Sequence, residues 1–122
     1  EVAQRLYYMP QAGAPPASLR FAAAELDQLL LLRGTQAAPV VNVTLAGLGF
    51  TGSAPTFYRP YTASGPGDWS LYNGGAVRPA GATDVTVREC AFETLGGNAL
   101  FLHDFTRRVN ISGCEVTIVI PF

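Results

Sequence analysis

Three stretches of this chain superpose without a gap, and no other feature constrains the fold as tightly. Residues 42–50 read NVTLAGLGF, 84–92 read DVTVRECAF and 108–116 read RVNISGCEV. Val43, Val85 and Val109 share one column, and Leu45, Val87 and Ile111 share the next apolar one. The polar Thr44, Thr86 and Asn110 stand between them. This period-two alternation predicts strands with one buried face. It breaks around Gly47, Glu89 and Gly113, where a bend is expected to turn the chain. Beyond the bend come a column of Leu48, Cys90 and Cys114 and another of Phe50, Phe92 and Val116. A further echo precedes the last two copies: GGAVRP at 74–79 matches GNALFL at 97–102.

The last two copies lie 24 residues apart (Cys90 to Cys114) and the first two lie 42 apart (Leu48 to Cys90). The excess of 18 falls in one Pro/Gly-rich stretch, so 53–73 is predicted to be a long inserted loop. A period in the low twenties, with strand pairs and no intervening helix, is a solenoid signature. The leucine-rich repeat pattern is missing. The predicted fold is all-β: a right-handed parallel β-helix of about three to four rungs, with successive turns at a strand spacing of about 4.8 Å. Matched columns then mean like residue over like, with Cys90 and Cys114 in one inward slot on neighbouring rungs. A disulfide is within reach at that spacing. Two buried free thiols are the favoured alternative, because parallel in-register neighbours offer poor disulfide torsion.

The leading region, 1–28, is less regular. Its stretch at 18–34, SLRFAAAELDQLLLLRG, has the composition of a helix, and 22–29 is one candidate for a capping helix. Residues 29–32 read better as a strand entering the first rung. Both ends of the chain read as cuts through a longer coil, so its open ends are expected to meet the rest of the same chain or further copies.

Composition narrows the partners. The net charge is −1 and only 14% of residues are charged, so neither nucleic acid nor an anionic membrane is an expected partner. No apolar run approaches the ~18 residues of a membrane span. Asn42-Val43-Thr44 and Asn110-Ile111-Ser112 are N-glycosylation sequons, which point to secretion or the cell surface.

The stretches TFYRPYTASGPGDWSLYNGGAV and CAFETLGGNALFLHDFTRRVNISGCEV resemble the secreted right-handed β-helix proteins of the pectin-lyase-like superfamily. The likeness is greatest to a largely uncharacterised group with a proline-rich loop ending in GDW, a GGAV strand and C-x-F…GGNAL. LYYMP-x-x-G near the start is similar to that group's N-terminal signature. The superfamily includes polysaccharide lyases, glycoside hydrolases, epimerases, tailspikes and adhesins. The resemblance therefore implies contact with a polysaccharide or other glycan more than it implies one reaction.

The predicted loop holds the most site-like residues. Tyr58, Tyr61 and Trp69 offer ring faces for sugars, and Arg59 and Asp68 offer hydroxyl partners. The alternative is that these rings only pin the loop to the coil. Asp104, His103 and Arg107 are the weak candidates for chemistry. Neighbours on a strand point to opposite faces, so His103 and Asp104 meet only if a turn brings them together. The bland reading is a polar corner. Glu89, Glu93 and Glu115 show no forced pairing of the kind glycoside cleavage needs. GLGFTG at 47–52 matches a dinucleotide-loop pattern, but a Pro/Gly-rich loop follows it instead of a helix, and no cofactor is expected. Scattered acids and one histidine do not suggest a metal. The leading expectation is an extracellular glycan-interacting module, its enzymatic version a polysaccharide lyase, hydrolase or epimerase. A non-catalytic structural module of an extracellular fibre or wall is the rival.

Overall fold

The computed structural model describes residues 8–9, 20–57, 59–63 and 70–117. Over these residues the protein is all-β, with no helix. Strands β1 (Leu30–Arg33), β2 (Val40–Ala46) and β3 (Gly49–Thr51) form a first pass of the chain. Two short strands follow, β4 (Thr62–Ala63) and β5 (Ser70–Leu71), which pair antiparallel. The second pass is β6 (Val77–Ala80), β7 (Ala82–Arg88) and β8 (Ala91–Glu93), and β9 (Arg107–Ser112) and β10 (Glu115–Thr117) end the third. Like strands of successive passes pair in parallel, giving sheets ordered β1-β6, β2-β7-β9 and β3-β8-β10. Leu100 and His103 extend the first sheet by parallel bridges to Val77 and Ala80. No sheet closes on itself.

The registers follow the repeat columns. Val43 pairs with Val85 and Val85 with Val109; Leu45 pairs with Val87 and Val87 with Ile111; Phe50 pairs with Phe92 and Phe92 with Val116. Val77 meets Leu100, the pair in the shorter echo. The second pass is covered on both sides, so Val77, Val85, Val87 and Phe92 are fully buried and form the centre of the core. Phe50 stacks on Phe92 with ring centroids 5.1 Å apart.

Corners recur in register too. Asn42, Asp84 and Arg108 all take positive φ (56°, 57° and 52°), as do Gly47, Glu89 and Gly113 (64°, 54° and 61°). The second set is the bend expected from the broken alternation. Left-handed backbone costs an ordinary residue roughly 1–2 kcal/mol, which is why glycine fills two of its three positions. The first set lies within strands and is skipped by the pairing, a stacked bulge that alternation alone does not reveal. Arg108 bridges back to Asp84 there with two hydrogen bonds, Nε–Oδ1 at 2.5 Å and Nη2–Oδ2 at 2.8 Å.

Three expectations change on contact with the structure. Residues 20–29 form no helix, so the proposed 22–29 cap is absent; residues 10–19 of the leading region lie outside those described. The helical composition loses because Leu29, Leu30 and Leu32 pack against the core, where strand pairing with β6 places them better than an isolated short helix would. The strand itself runs one residue later than 29–32. Leu48 is 42% exposed, so its column turns inward only at the cysteines. The cysteines, by contrast, follow the favoured alternative: Cys90 and Cys114 are separate thiols. Each points at a carbonyl of the preceding pass, Cys90 Sγ 3.6 Å from Leu45 O and Cys114 Sγ 3.6 Å from Val87 O, in the weak-donor role open to a thiol. No helix among the described residues is long and apolar enough to cross a membrane.

Candidate functional site

The inserted loop begins where β3 ends and is clamped at its base. Ser53, Ala54 and Thr56 are buried there. The Gly96 N–H donates to Ser53 Oγ at 2.9 Å, and the Thr56 N–H donates to Gly96 O at 2.9 Å. A side chain on Gly96 would meet the Ala54 carbonyl 2.3 Å away, so only glycine permits this approach. On the return limb, Asn98 Nδ2 donates to Tyr72 O (3.3 Å) and Gly74 O (2.9 Å). Asn73 Nδ2 donates to Thr62 Oγ1 at 2.6 Å, bracing the β4–β5 pair.

Between these anchors lies a polar aromatic cluster. The Tyr72 hydroxyl donates to Asp27 Oδ2 at 2.7 Å, and Arg59 Nε approaches the same oxygen at 3.5 Å. The Tyr61 and Tyr72 rings lie 5.8 Å apart, tilted by 49°, with Tyr61 41% exposed. The tyrosine hydrogen bond, aided by the Arg59 charge, holds the Asp27 carboxyl below its ordinary range. Burial and the same carboxylate push the Tyr72 phenol up. The loop is thus tied to the segment before β1 through the Asp27 carboxylate and, at its base, through the Ala54 N–H, which donates to Leu26 O at 2.8 Å.

That tie has a pH signature. A carboxyl whose folded pKa is depressed stabilises the fold above its unfolded value, near 3.8 for Asp27, and loses that contribution as pH falls through the lower folded value. Hydrogen-exchange protection around Tyr72 should therefore be constant above about pH 5 and fall below about pH 4. Asp27→Asn should remove that step. An identical acid profile in the variant would show that Asp27 does not hold the loop.

Of the glycan candidates, Arg59 and Tyr61 belong to this cluster, while Tyr58, Asp68 and Trp69 lie outside the described residues. Arg59 is shared with Asp27, and its half-exposed guanidinium keeps donors free for a ligand. Asp27 escaped sequence reasoning: it is remote from Tyr72 and Arg59 in the chain, and no local motif marks it.

His103 and Asp104 do meet. Asp104 and Phe105 take positive φ (48° and 59°), and this turn brings Asp104 Oδ1 to 2.6 Å from His103 Nδ1. The contact is an ion-pair approach without hydrogen-bond alignment, since Nδ1 has no hydrogen-bond partner. The ring stacks on Phe101 with centroids 5.5 Å apart. Thr106 Oγ1 lies 2.5 Å from His103 O and accepts from the Ala82 N–H at 3.3 Å, fixing the turn to β7. Arg107 opens β9, exposed and, among the described residues, without a hydrogen bond or ion pair to the dyad. The arrangement orients an imidazole, but no second catalytic group converges on it.

A groove of about 490 Å³ runs between 22–24 and the turns at 52–55 and 94–96. Its lining is mostly small and apolar, and the Ser53 hydroxyl in it already accepts from Gly96. It therefore lacks the convergent polar groups of a specific site. Among the described residues no three of His, Cys, Asp or Glu group as metal ligands. No family model matches the chain, and no curated protein or solved structure matches it.

Proposed function

We propose that this chain is a module of a right-handed parallel β-helix, secreted or displayed at the cell surface, that contacts glycan through the loop at 53–73. The parallel registers at the 24-residue step support the coil. The observation that carries the function is the Tyr61–Tyr72 pair beside Asp27 and Arg59. It presents an exposed aromatic face with a carboxylate and a guanidinium at its rim, on a loop clamped to a rigid sheet scaffold. Aromatic faces cover the apolar faces of sugar rings, and the charged rim bonds their hydroxyls. Among the described residues of this cluster no two carboxylates pair for bond cleavage, so the reading is of binding, with Asp104, His103 and Arg107 kept as the candidates for chemistry.

Titration against a panel of acidic and neutral polysaccharides tests it. Tyr61→Ala should weaken the binding seen with the native protein about tenfold, the equivalent of ~1.4 kcal/mol, with a stability loss below about 1 kcal/mol because the ring is partly exposed. Native protein that binds nothing in the panel, or a variant that binds as well as native, would remove the loop from consideration. Following reducing ends and unsaturated products in the same mixtures tests turnover.

One observation favours the rival structural module. Ile111 and Val116 are 47% and 55% exposed, whereas Leu45 and Phe50, in the same columns on the first pass, are 8% and 9% exposed. Among the described residues the third pass thus presents an apolar edge of the kind that stacks on another rung. Filaments in electron micrographs, together with no polysaccharide binding, would establish that reading over the first.

A further inference from the structure

The chain has four asparagines, and the structure divides them into two kinds. Asn73 and Asn98 sit at the loop and spend their carboxamides on Thr62, Tyr72 and Gly74. Asn42 and Asn110 are exposed, and neither carboxamide makes a hydrogen bond in the structure. These two are the sequon asparagines, and the sequon hydroxyls of Thr44 and Ser112 are exposed as well. They lie on opposite edges of one sheet: Asn42 is on β2 and Asn110 on β9, the two edge strands of the β2-β7-β9 sheet, with Asn110 level with Thr44 through Thr86. The central strand carries Asp84-Val85-Thr86 at the level of the first sequon, and Arg108 occupies that carboxylate. The loop leaves after β3 and returns at β6, so it emerges between the other two sheets and does not border this one.

We infer that Asn42 and Asn110 are N-linked glycosylation sites and that their oligosaccharides cover the outward face of the β2-β7-β9 sheet, leaving the loop uncovered. The inference rests on the proposed secretion of the chain, not on glycan binding by the loop. In the transfer step the carboxamide nitrogen attacks C1 of an oligosaccharide carried on a lipid pyrophosphate. A C–N bond forms, the C1–O bond breaks, the amide loses one proton and the lipid pyrophosphate leaves. Of the four asparagines only these two open an Asn-X-Ser/Thr sequon, and both are exposed with carboxamides that no intramolecular bond occupies, so a bulky attached chain has room there.

The test is the chain expressed behind a secretion signal in a eukaryotic host, with intact mass read before and after peptide-N-glycosidase. Two oligosaccharides should be lost from the native chain and one from each of N42Q, N110Q, T44A and S112A. The alanine variants keep the asparagine and remove only the sequon hydroxyl. Translation with microsomes gives the same readout as a gel shift for any variant that is not secreted. A native mass unchanged by the enzyme would overturn the inference, and loss at only one residue would overturn it for the other. Full occupancy without polysaccharide binding would defeat the loop reading and leave this one standing.

Discussion

Phe92→Ala is expected to lower the free energy of unfolding by about 3–5 kcal/mol. A small domain is stable by only about 5–15 kcal/mol, so this one substitution should remove a large fraction of the total. Phe92 is fully buried on the central pass, in register with Phe50 on one side and Val116 on the other. Removing the ring leaves a void bounded by backbone strands that cannot close on it, and it ends the stack with Phe50, where the planes lie 15° apart. Val116→Ala in the same column is the control. It is more than half exposed, so truncation should cost less than about 1 kcal/mol. Urea titration with unchanged m-values measures both. Similar losses in the two variants would mean that the column is not a stack with a buried middle.

Gly81→Ala is expected to cost about 3 kcal/mol, against about 1–2 kcal/mol for Gly47→Ala. Both glycines have positive φ, 67° and 64°, so both variants incur the left-handed penalty. They differ in what the new methyl meets. At Gly47 nothing lies within 4 Å. At Gly81 the methyl would sit 2.5 Å from the Gly34 carbonyl oxygen and 3.0 Å from Thr35 N, and backbone atoms cannot rotate aside. The passes touch there: Gly34 N–H donates to Ala80 O at 2.8 Å and Val40 N–H donates to Gly81 O at 3.1 Å. Opening the corner would loosen β1 and β2 from β6 and β7 together. Equal losses at the two glycines would show that conformation alone sets the cost and that the passes do not touch at this corner.

Much of the scaffold is legible from residue columns. Val43, Val85 and Val109, or Phe50, Phe92 and Val116, can be aligned on paper because parallel pairing sets equivalent residues side by side. The bends at Gly47, Glu89 and Gly113 are visible because alternation fails there. The bulge at Asn42, Asp84 and Arg108 is invisible, since none of the three is a glycine and the valine that follows each begins the alternation cleanly. The short strand at Leu30–Arg33 hides inside a run with helical composition, because propensity over ten residues is weaker than burial against a neighbouring sheet.

The candidate site divides along the same line. Tyr61 and Arg59 stand out locally, as aromatic and cationic residues in a long loop. Their partner Asp27 does not, for it reaches Tyr72 across 45 positions of chain. The sequons at Asn42 and Asn110 are equally plain as motifs. What no motif contains is that both lie on the edges of one sheet, with free carboxamides, away from the loop.

The sequence by itself determined the strand periodicity, the 24-residue step and the inward valine and phenylalanine columns, because each of these is a local pattern of side-chain polarity. Tertiary structure alone decided which pass lies at the centre of the core, which carboxylate fastens the loop and which asparagines keep unbonded carboxamides. Those outcomes depend on distances between residues far apart in the chain, and the order of residues does not encode such distances until the backbone has packed.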